Sequence, residues 1–374
     1  MRGKSKGQPD FLTVVNLETR IPKNHPIRGI KRRIDEVLRR LNPEFERLYQ
    51  DSGRPSVPPE QLLKARVLMA LFSVRSERLF CDQLGYNLLW QWFLERDLEE
   101  GSFNHSVFSK NHDRVFSNEL AQRFFMEVFE LSREENWASD DHFSADGSLI
   151  EAWASSKSFR PIEEGDSDNE PPAGDGNGFK PSNPEVDFKG QKRSNQTHRS
   201  RTDPESVLYR KGPGKEAKLY FGAHGLMENR NGLLAAIDIH NPIETSEADM
   251  ALDQMETLAY AEQGLPQTLG ADKNYHTKNF VGECRDRGVK PHVACVRNRK
   301  TPGLDKRTTN KGAYKVSQRI RKRIEEIFGW MKTVGLFRKT RYRGIAKTQS
   351  WVHFLGATYN LVRMANLELC SSES

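Results

Sequence analysis

The spacing of apolar residues changes once along this chain, between residues 135 and 142, and that change confines the fold to a helical unit followed by a sheet. Upstream, apolar positions recur every three or four residues, as on one face of a helix. PPEQLLKARVLMALFSV places its prolines where a first turn tolerates them and continues with Leu62, Leu63, Val67, Ala70 and Leu71 at helical spacing. Further helices are predicted through SERLFCDQLGYNLLWQWFL, SVFSKNHDRV and SNELAQRFFMEVFEL, each opened by a serine able to cap it. The helical unit therefore covers 59–138, behind an amino-terminal arm at 1–58.

Downstream the runs shorten. DHFSADGSLIEAW, KLYFGAHGLM, GLLAAIDIH, QTLGAD and VKPHVACV have strand length, with glycine or Asn-Gly turn signals between several of them. TSEADMALDQMETLAYAEQ and HTKNFVGECRDRG separate the later runs and read as helices. A meander of three strands followed by alternating helix and strand specifies a mixed α/β sheet over 139–369. Residues 160–206 do not fit its core: of 47 residues only Ile162, Ala173, Phe179, Val186 and Phe188 are hydrophobic, and six are proline. Burial of so little apolar area does not offset ordering entropy, so a mobile insertion is predicted there.

The net charge of +7 is unevenly spread. Residues 297–347 hold 17 Lys and Arg against 3 Asp and Glu, leaving 41 basic and 48 acidic residues elsewhere. A segment so basic attracts polyanions through counterion release, although a solvated charged face is the alternative. The short third helix carries Lys110, His112 and Arg114, and reads equally as a DNA recognition helix or as an ordinary helical hairpin. No apolar run approaches the roughly 18 residues of a membrane span, and MRGKSKGQPDFL lacks the apolar stretch of a secretory signal. A cytoplasmic, reducing location is expected, because Cys81, Cys284, Cys295 and Cys370 form no closely spaced pair. His292 with Cys295 and Cys284 is a weak candidate for a metal site, since buried free cysteine is the common case.

Three carboxylates stand in informative places. Asp146 lies inside the first strand between Phe143 and Leu149, where an acid is locally disfavoured. Asp272 ends the fourth strand, at the edge where α/β sheets place ligands. Either alone reads as readily as a turn or cap residue. The third sits on the helix YKVSQRIRKRIEEIFGWMKTVG, whose Ile320, Ile324, Ile327, Phe328 and Met331 share one sector. At about 100° per residue, Glu325 falls about 40° and Lys332 about 20° from Arg321, while Glu326 lies about 100° further round toward solvent. An ordinary Arg321–Glu325 ion pair at i, i+4 is the competing reading. Carboxylates that converge take up protons unless cations sit among them. Two hard divalent ions held by Asp146, Asp272 and Glu325 would give the arrangement used in phosphodiester chemistry. Asp238, Asp140 and Asp141 are rival acids.

The strings ADGSLIEAWASSKSF, KGPGKEAKLYFGAHGLMENRNGL, LGADKNYH and SQRIRKRIEEIFGWMK, in that order, resemble the DDE transposases of bacterial insertion sequences. More narrowly they resemble the group with a tyrosine–arginine–glutamate–lysine signature on the helix of the catalytic glutamate. The resemblance spans roughly residues 55–365 and implies a helical DNA-binding domain joined to a ribonuclease-H-like catalytic domain. It implies that Asp146, Asp272 and Glu325 are the catalytic acids and ligands of two Mg2+ (or Mn2+) ions. Arg321, Glu325 and Lys332 meet the signature spacing; its tyrosine position holds Gln318. The glycine usual two residues after the second acid is Asn274, which tolerates left-handed backbone.

The activity implied by the resemblance is DNA end cleavage and strand transfer by direct attack on phosphodiesters. Arg321, Lys332 and Gln318 would face DNA phosphates, the run Arg338, Lys339, Arg341 and Arg343 would extend that track, and Lys110 and Arg114 would lie in the helical domain that reads the inverted-repeat ends. The implied partners are those ends, target DNA and further copies of the chain, as a homodimer or larger assembly, in a bacterial, nucleoid-associated setting without membrane. A catalytically inactive DNA-binding protein derived from a transposase, and a nuclease that only cuts, are the rival classes.

Overall fold

The computed structural model describes residues 16–49, 55–162, 193–210, 212 and 214–372. Its first eight helices are α1 (Leu17–Arg20), α2 (Pro26–Arg40), α3 (Asn42–Leu48), α4 (Pro59–Leu71), α5 (Glu77–Leu84), α6 (Leu88–Leu94), α7 (Ser106–Lys110) and α8 (Asn118–Glu134). The arm expected at 1–58 is in part not an arm, because α2 and α3 are built into the core. Ile27, Ile30, Ile34, Val37 and Leu38 form a buried stripe on α2 that packs on α8 and on the last helix of the chain. The predicted helix over 76–94 is two helices: the turn at Gly85–Asn87 breaks it, and Asn87 caps α6 by accepting from Trp90 N at 3.1 Å. Helix α4 is buried on all sides, so the two charges at its middle are paired. Lys64 meets Asp35 at 2.5 Å, and Arg66 meets Glu77 at 2.7 Å with its guanidinium 4.3 Å from the Phe116 ring.

The strands are β1 (His142–Glu151), β2 (Phe159–Pro161), β3 (His198–Ser200), β4 (Val207–Arg210), β5 (Ala217–Glu228), β6 (Leu233–His240), β7 (Thr268–Ala271) and β8 (Lys290–Val293). Across the main sheet the order is β6, β5, β1, β7, β8; β5 is antiparallel to both β6 and β1, and β7 and β8 run parallel to β1. Three meandering strands continued by two parallel crossover strands make a ribonuclease-H-like sheet. Helix α9 (Glu247–Tyr260) leads from β6 to β7, and α10 (Lys278–Asp286) leads from β7 to β8. Beyond β8 come α11 (Lys306–Thr309), α12 (Gly312–Ile320), a 3-10 turn at Arg321–Arg323, α13 (Ile324–Thr333) and α14 (Ile345–Ser372).

β6 is an edge strand, and α14 shields it. Asn360 Oδ1 accepts from Leu234 N and its Nδ2 donates to Leu234 O, both at 2.8 Å. Three turns earlier on the same helix face, Gln349 accepts from Ile239 N and donates to Ile237 O. Amide side chains thus occupy backbone groups that would otherwise template another strand. No described helix is long and apolar enough to cross a membrane.

The ends of the predicted insertion at 160–206 are ordered, while 163–192 lie outside the described residues. β2 pairs antiparallel with β3, Phe159 stacks on His198, and Asn195 brackets Leu208 N and O. Asp203 and Glu205 accept from Gly344 N and Ile345 N, capping α14. Polar side chains bonded to backbone hold these ends, which is why low apolar content is a poor guide to their order.

Candidate active site

β7 pairs with β1 only from His142 to Ser144, whereas β1 runs on to Glu151, where it is bridged by Lys339. Between those points the β1 edge on the β7 side is open, and Asp146 lies in the opening. Asp272 follows the last residue of β7 and caps a 3-10 turn, its Oδ1 accepting from Asn274 N at 2.7 Å. Asn274 therefore sits in a right-handed turn, and the left-handed backbone anticipated there is not used. Glu325 comes from the first turn of α13. These are the three acids selected from sequence, and the fold brings them to one opening. Burial, helped by Asp272 and Glu325 and opposed by the Gly147 N–H and Arg321, pushes the Asp146 carboxyl up to about 6.

The segment from α12 to α13 that carries Glu325 is docked by small contacts. A Cβ on Gly270 of β7 would lie 2.9 Å from Ser317 Oγ and 3.3 Å from Arg321 Cβ, so only glycine admits the helix this close. Lys332 Nζ donates to Ser148 Oγ, two residues beyond Asp146. No ion pair joins Arg321 to Glu325 among the described residues; Arg321 Nε instead donates to Gln318 Oε1 at 3.2 Å.

A fourth acid is present that sequence reasoning missed. Glu247, at the start of α9, lies over Gly147, and burial together with Asp146 and Asp272 pushes its carboxyl up. Tyr275 is buried beside these acids, and its hydroxyl is held by His224 Nε2 at 2.7 Å. Gln254 Nε2 donates to His224 O and to Asp238, so Gln254 Oε1 must accept from His224 Nδ1, and Nε2 accepts the Tyr275 proton. Burial lowers His224 to about 4, which keeps the ring neutral and this relay fixed. Asp238 is thereby committed to Gln254 and Gln349, and Asp140 to Arg133, which removes both as rivals. Asp141 is an exposed residue ahead of β1 that accepts from Gln267 Nε2.

Beside Arg321 and Lys332, the residues expected at DNA fall into two groups. Lys110, Arg338, Lys339 and Arg343 are exposed, with Lys339 paired to Glu151 at 3.2 Å. Gln318, Arg341 and Arg114 are committed to the protein. Gln318 Nε2 donates to His292 O and Ala271 O, stapling α12 to the ends of β7 and β8. Arg341 donates to Val74 O and Arg75 O and lies 4.5 Å from the Trp351 ring, and Arg114 lies 4.2 Å over Tyr49. α7, the expected recognition helix, ends at Lys110.

The donor set suits a hard divalent cation, since it consists of carboxylate oxygens at a partly buried opening with a raised carboxyl at its centre. Among the described residues, however, no three His, Cys, Asp or Glu side chains stand close enough together to hold one ion.

Residues 15–114 match the family described as "Transposase domain (DUF772)", and residues 194–361 match the family described as "Transposase DDE domain". The fold and these matches define a transposase of the DDE class, an enzyme of DNA transposition. Together the two matches indicate a transposase of the insertion-sequence type, a class that generally uses divalent metal ions. No curated protein sequence matches it. Among solved structures, a piggyBac transposase synaptic complex with hairpin DNA is similar over 94% of this chain and 76% of that chain, at 10% identity and a TM-score of 0.41. The Mos1 strand transfer complex is similar over 79% and 82%, at 9% identity and a TM-score of 0.22.

Proposed function

We propose that this transposase cleaves element ends and transfers strands at Asp146, Asp272 and Glu325, which hold two divalent ions, Mg2+ or Mn2+. The observation that carries this reading is the approach of all three acids to the opening where β1 outruns β7, with the Asp146 carboxyl pushed up to about 6. When bound, such ions lower the pKa of an attacking water or 3′ hydroxyl and stabilise the leaving oxygen. In the first step water adds to the phosphorus, the P–O3′ bond breaks, and a 3′ hydroxyl is freed. In the second that hydroxyl displaces a 3′ oxygen in target DNA. Asp146 sits on a strand and Asp272 on a capped turn, rigid elements that suit a catalytic site. Arg321 and Lys332 flank the acids and orient phosphates, and Lys339, Arg338 and Arg343 continue that track.

The spacing of Arg321, Glu325 and Lys332 supports membership of the tyrosine–arginine–glutamate–lysine group, with Gln318 acting as a staple and not as a phosphate contact. Residues 59–138, with Lys110, would recognise the inverted repeats, and pairing of two ends would bring copies of the chain together. The test is a supercoiled plasmid carrying the element ends, with Mg2+. Joining of ends to new sites supports the proposal; nicking without joining, or a gel shift without cleavage, would leave only a nuclease or a binding protein.

A further inference from the structure

The helical unit holds seven arginines between residues 59 and 138. Five of them have side-chain partners, Arg66 with Glu77 and Arg133 with Asp140 among them. The other two, Arg75 and Arg78, are exposed and make no side-chain ion pair, hydrogen bond or ring contact among the described residues. They lie one on each side of Ser76, the cap of α5, where the turn from α4 enters that helix.

An exposed arginine without a partner can be a solvated surface charge. These two differ because the turn that presents them is fixed to the catalytic domain. Ser73 takes a left-handed backbone, φ 55°, and its Oγ donates to Val334 O at 2.7 Å, at the end of α13. The Arg341 guanidinium donates to Val74 O at 3.3 Å and to Arg75 O at 2.6 Å. The Tyr342 hydroxyl accepts from Arg66 at 2.9 Å and donates to Glu77 at 3.4 Å, so the acid beside Arg78 is neutralised inside the joint. Arg338 and Arg343, both exposed, stand on either side of Arg341 in the chain. The joint thus brings exposed cations of both domains to one seam. It also sets a distance: the nine residues from Glu325 to Val334 span about 14 Å of helix, roughly four base pairs of B-DNA.

We propose that the turn between α4 and α5 grips the element end, with Arg75 and Arg78 on phosphates about four base pairs from the cut bond. Ser73 is a positioning residue, which holds that grip at a set distance from the acids. This rests on the reading of Glu325 as an acid at the cut bond. The element end is the DNA that must stay in register through cleavage and joining, and a contact bolted to α13 suits it. Arginine suits the contact, because its planar fork matches phosphate oxygens and its charge persists at any working pH. The helical unit then meets DNA through a turn locked to the catalytic domain, and α7 is not needed for that contact.

The test is binding of the full chain to a duplex carrying one element end, by fluorescence anisotropy across a salt series, with phosphate ethylation interference on the same duplex. Arg75→Gln/Arg78→Gln should melt as wild type, bind about tenfold more weakly and lose about two from the salt slope. Ethylation about four base pairs from the cut bond should impair binding by the wild type and not by the variant. Arg123→Gln, which removes an arginine paired with Glu127, should keep the wild-type slope. Ser73→Gly keeps the left-handed backbone but loses the bond to Val334; it should bind as wild type and cleave at scattered neighbouring phosphates. Cleavage at a single position there would overturn the positioning role. Unchanged affinity and slope in the double variant, with cleavage still lost in Glu325→Gln, would overturn the contact while the acid site stands. Loss of joining to target DNA with end binding intact would assign the turn to the target and overturn it equally. Wild-type cleavage in Glu325→Gln would remove the reading of the acid, and the distance measured from it would fall as well.

Discussion

Gly270→Ala probes how the third acid is held. The added methyl would lie 2.9 Å from Ser317 Oγ, 3.3 Å from Arg321 Cβ and 3.3 Å from His142 Cε1. Ordinary van der Waals contact needs separations of about 3.5–4 Å, so the start of the 321–323 turn must retreat from β7 by roughly half an ångström or more. Overpacking of this kind costs about 1–3 kcal/mol, which for a domain of this size lowers the melting temperature by ~2–4 °C per kcal/mol. Arg321 and Glu325 move with the turn, and a displacement approaching 1 Å can cost about 100-fold in rate. The expected outcome is a folded protein, less stable by a few degrees, that binds end DNA but cleaves it ~10- to 100-fold more slowly. Ser317 Oγ supplies an internal control, because it is buried without a hydrogen-bond partner. Ser317→Ala should therefore cost almost nothing alone, and it should restore part of the loss in the double variant. Gly270→Ala with wild-type stability and cleavage, or a double variant no better than the single one, would refute the docking argument.

Three other expectations rest on the packing. Arg66→Met leaves Glu77 half-buried without its guanidinium and should destabilise by about 3 kcal/mol in denaturant unfolding, with partial recovery in Arg66→Met/Glu77→Gln. Asn360→Ala strips Leu234 N–H and C=O of their partner at the β6 edge, at about 1–3 kcal/mol for each group, and should raise self-association measured by light scattering. His224, with its folded pKa lowered from 6.5 to about 4, binds its proton more readily when unfolded, so stability is full above pH 6.5 and falls as pH drops toward 4. The loss attributable to it should be about 2 kcal/mol between pH 7 and pH 5, measured as the difference between wild type and His224→Gln in urea unfolding.

Much of the catalytic domain is legible in the sequence because its strands alternate and its turns carry glycine or asparagine. Asp146 can be singled out because an acid inside an apolar strand contradicts its surroundings, and Glu325 because helical geometry separates it from Glu326. What stays hidden depends on contacts distant in sequence. Arg341 and Arg114 look like DNA-facing charges until Trp351 and Tyr49 are seen beneath them. Gln318 reads as a surface amide, and only the β7 and β8 carbonyls reveal it as a staple. Glu247 reads as an ordinary helix-start acid; the sole hint is the glycine that comes after Asp146, whose meaning appears once α9 is laid across it. The stripe on α2 is visible at helical spacing, but its packing partner, α14, lies more than three hundred residues away.

The central claim, that the third acid is Glu325 and not its neighbour, is tested most directly by Mg2+-dependent cleavage of end DNA with Glu325→Gln and Glu326→Gln side by side. Glu325→Gln should abolish cleavage, as Asp146→Asn and Asp272→Asn should, while end binding persists; Glu326→Gln should cleave at close to the wild-type rate. Cleavage retained in Glu325→Gln, or lost in Glu326→Gln, would contradict the account.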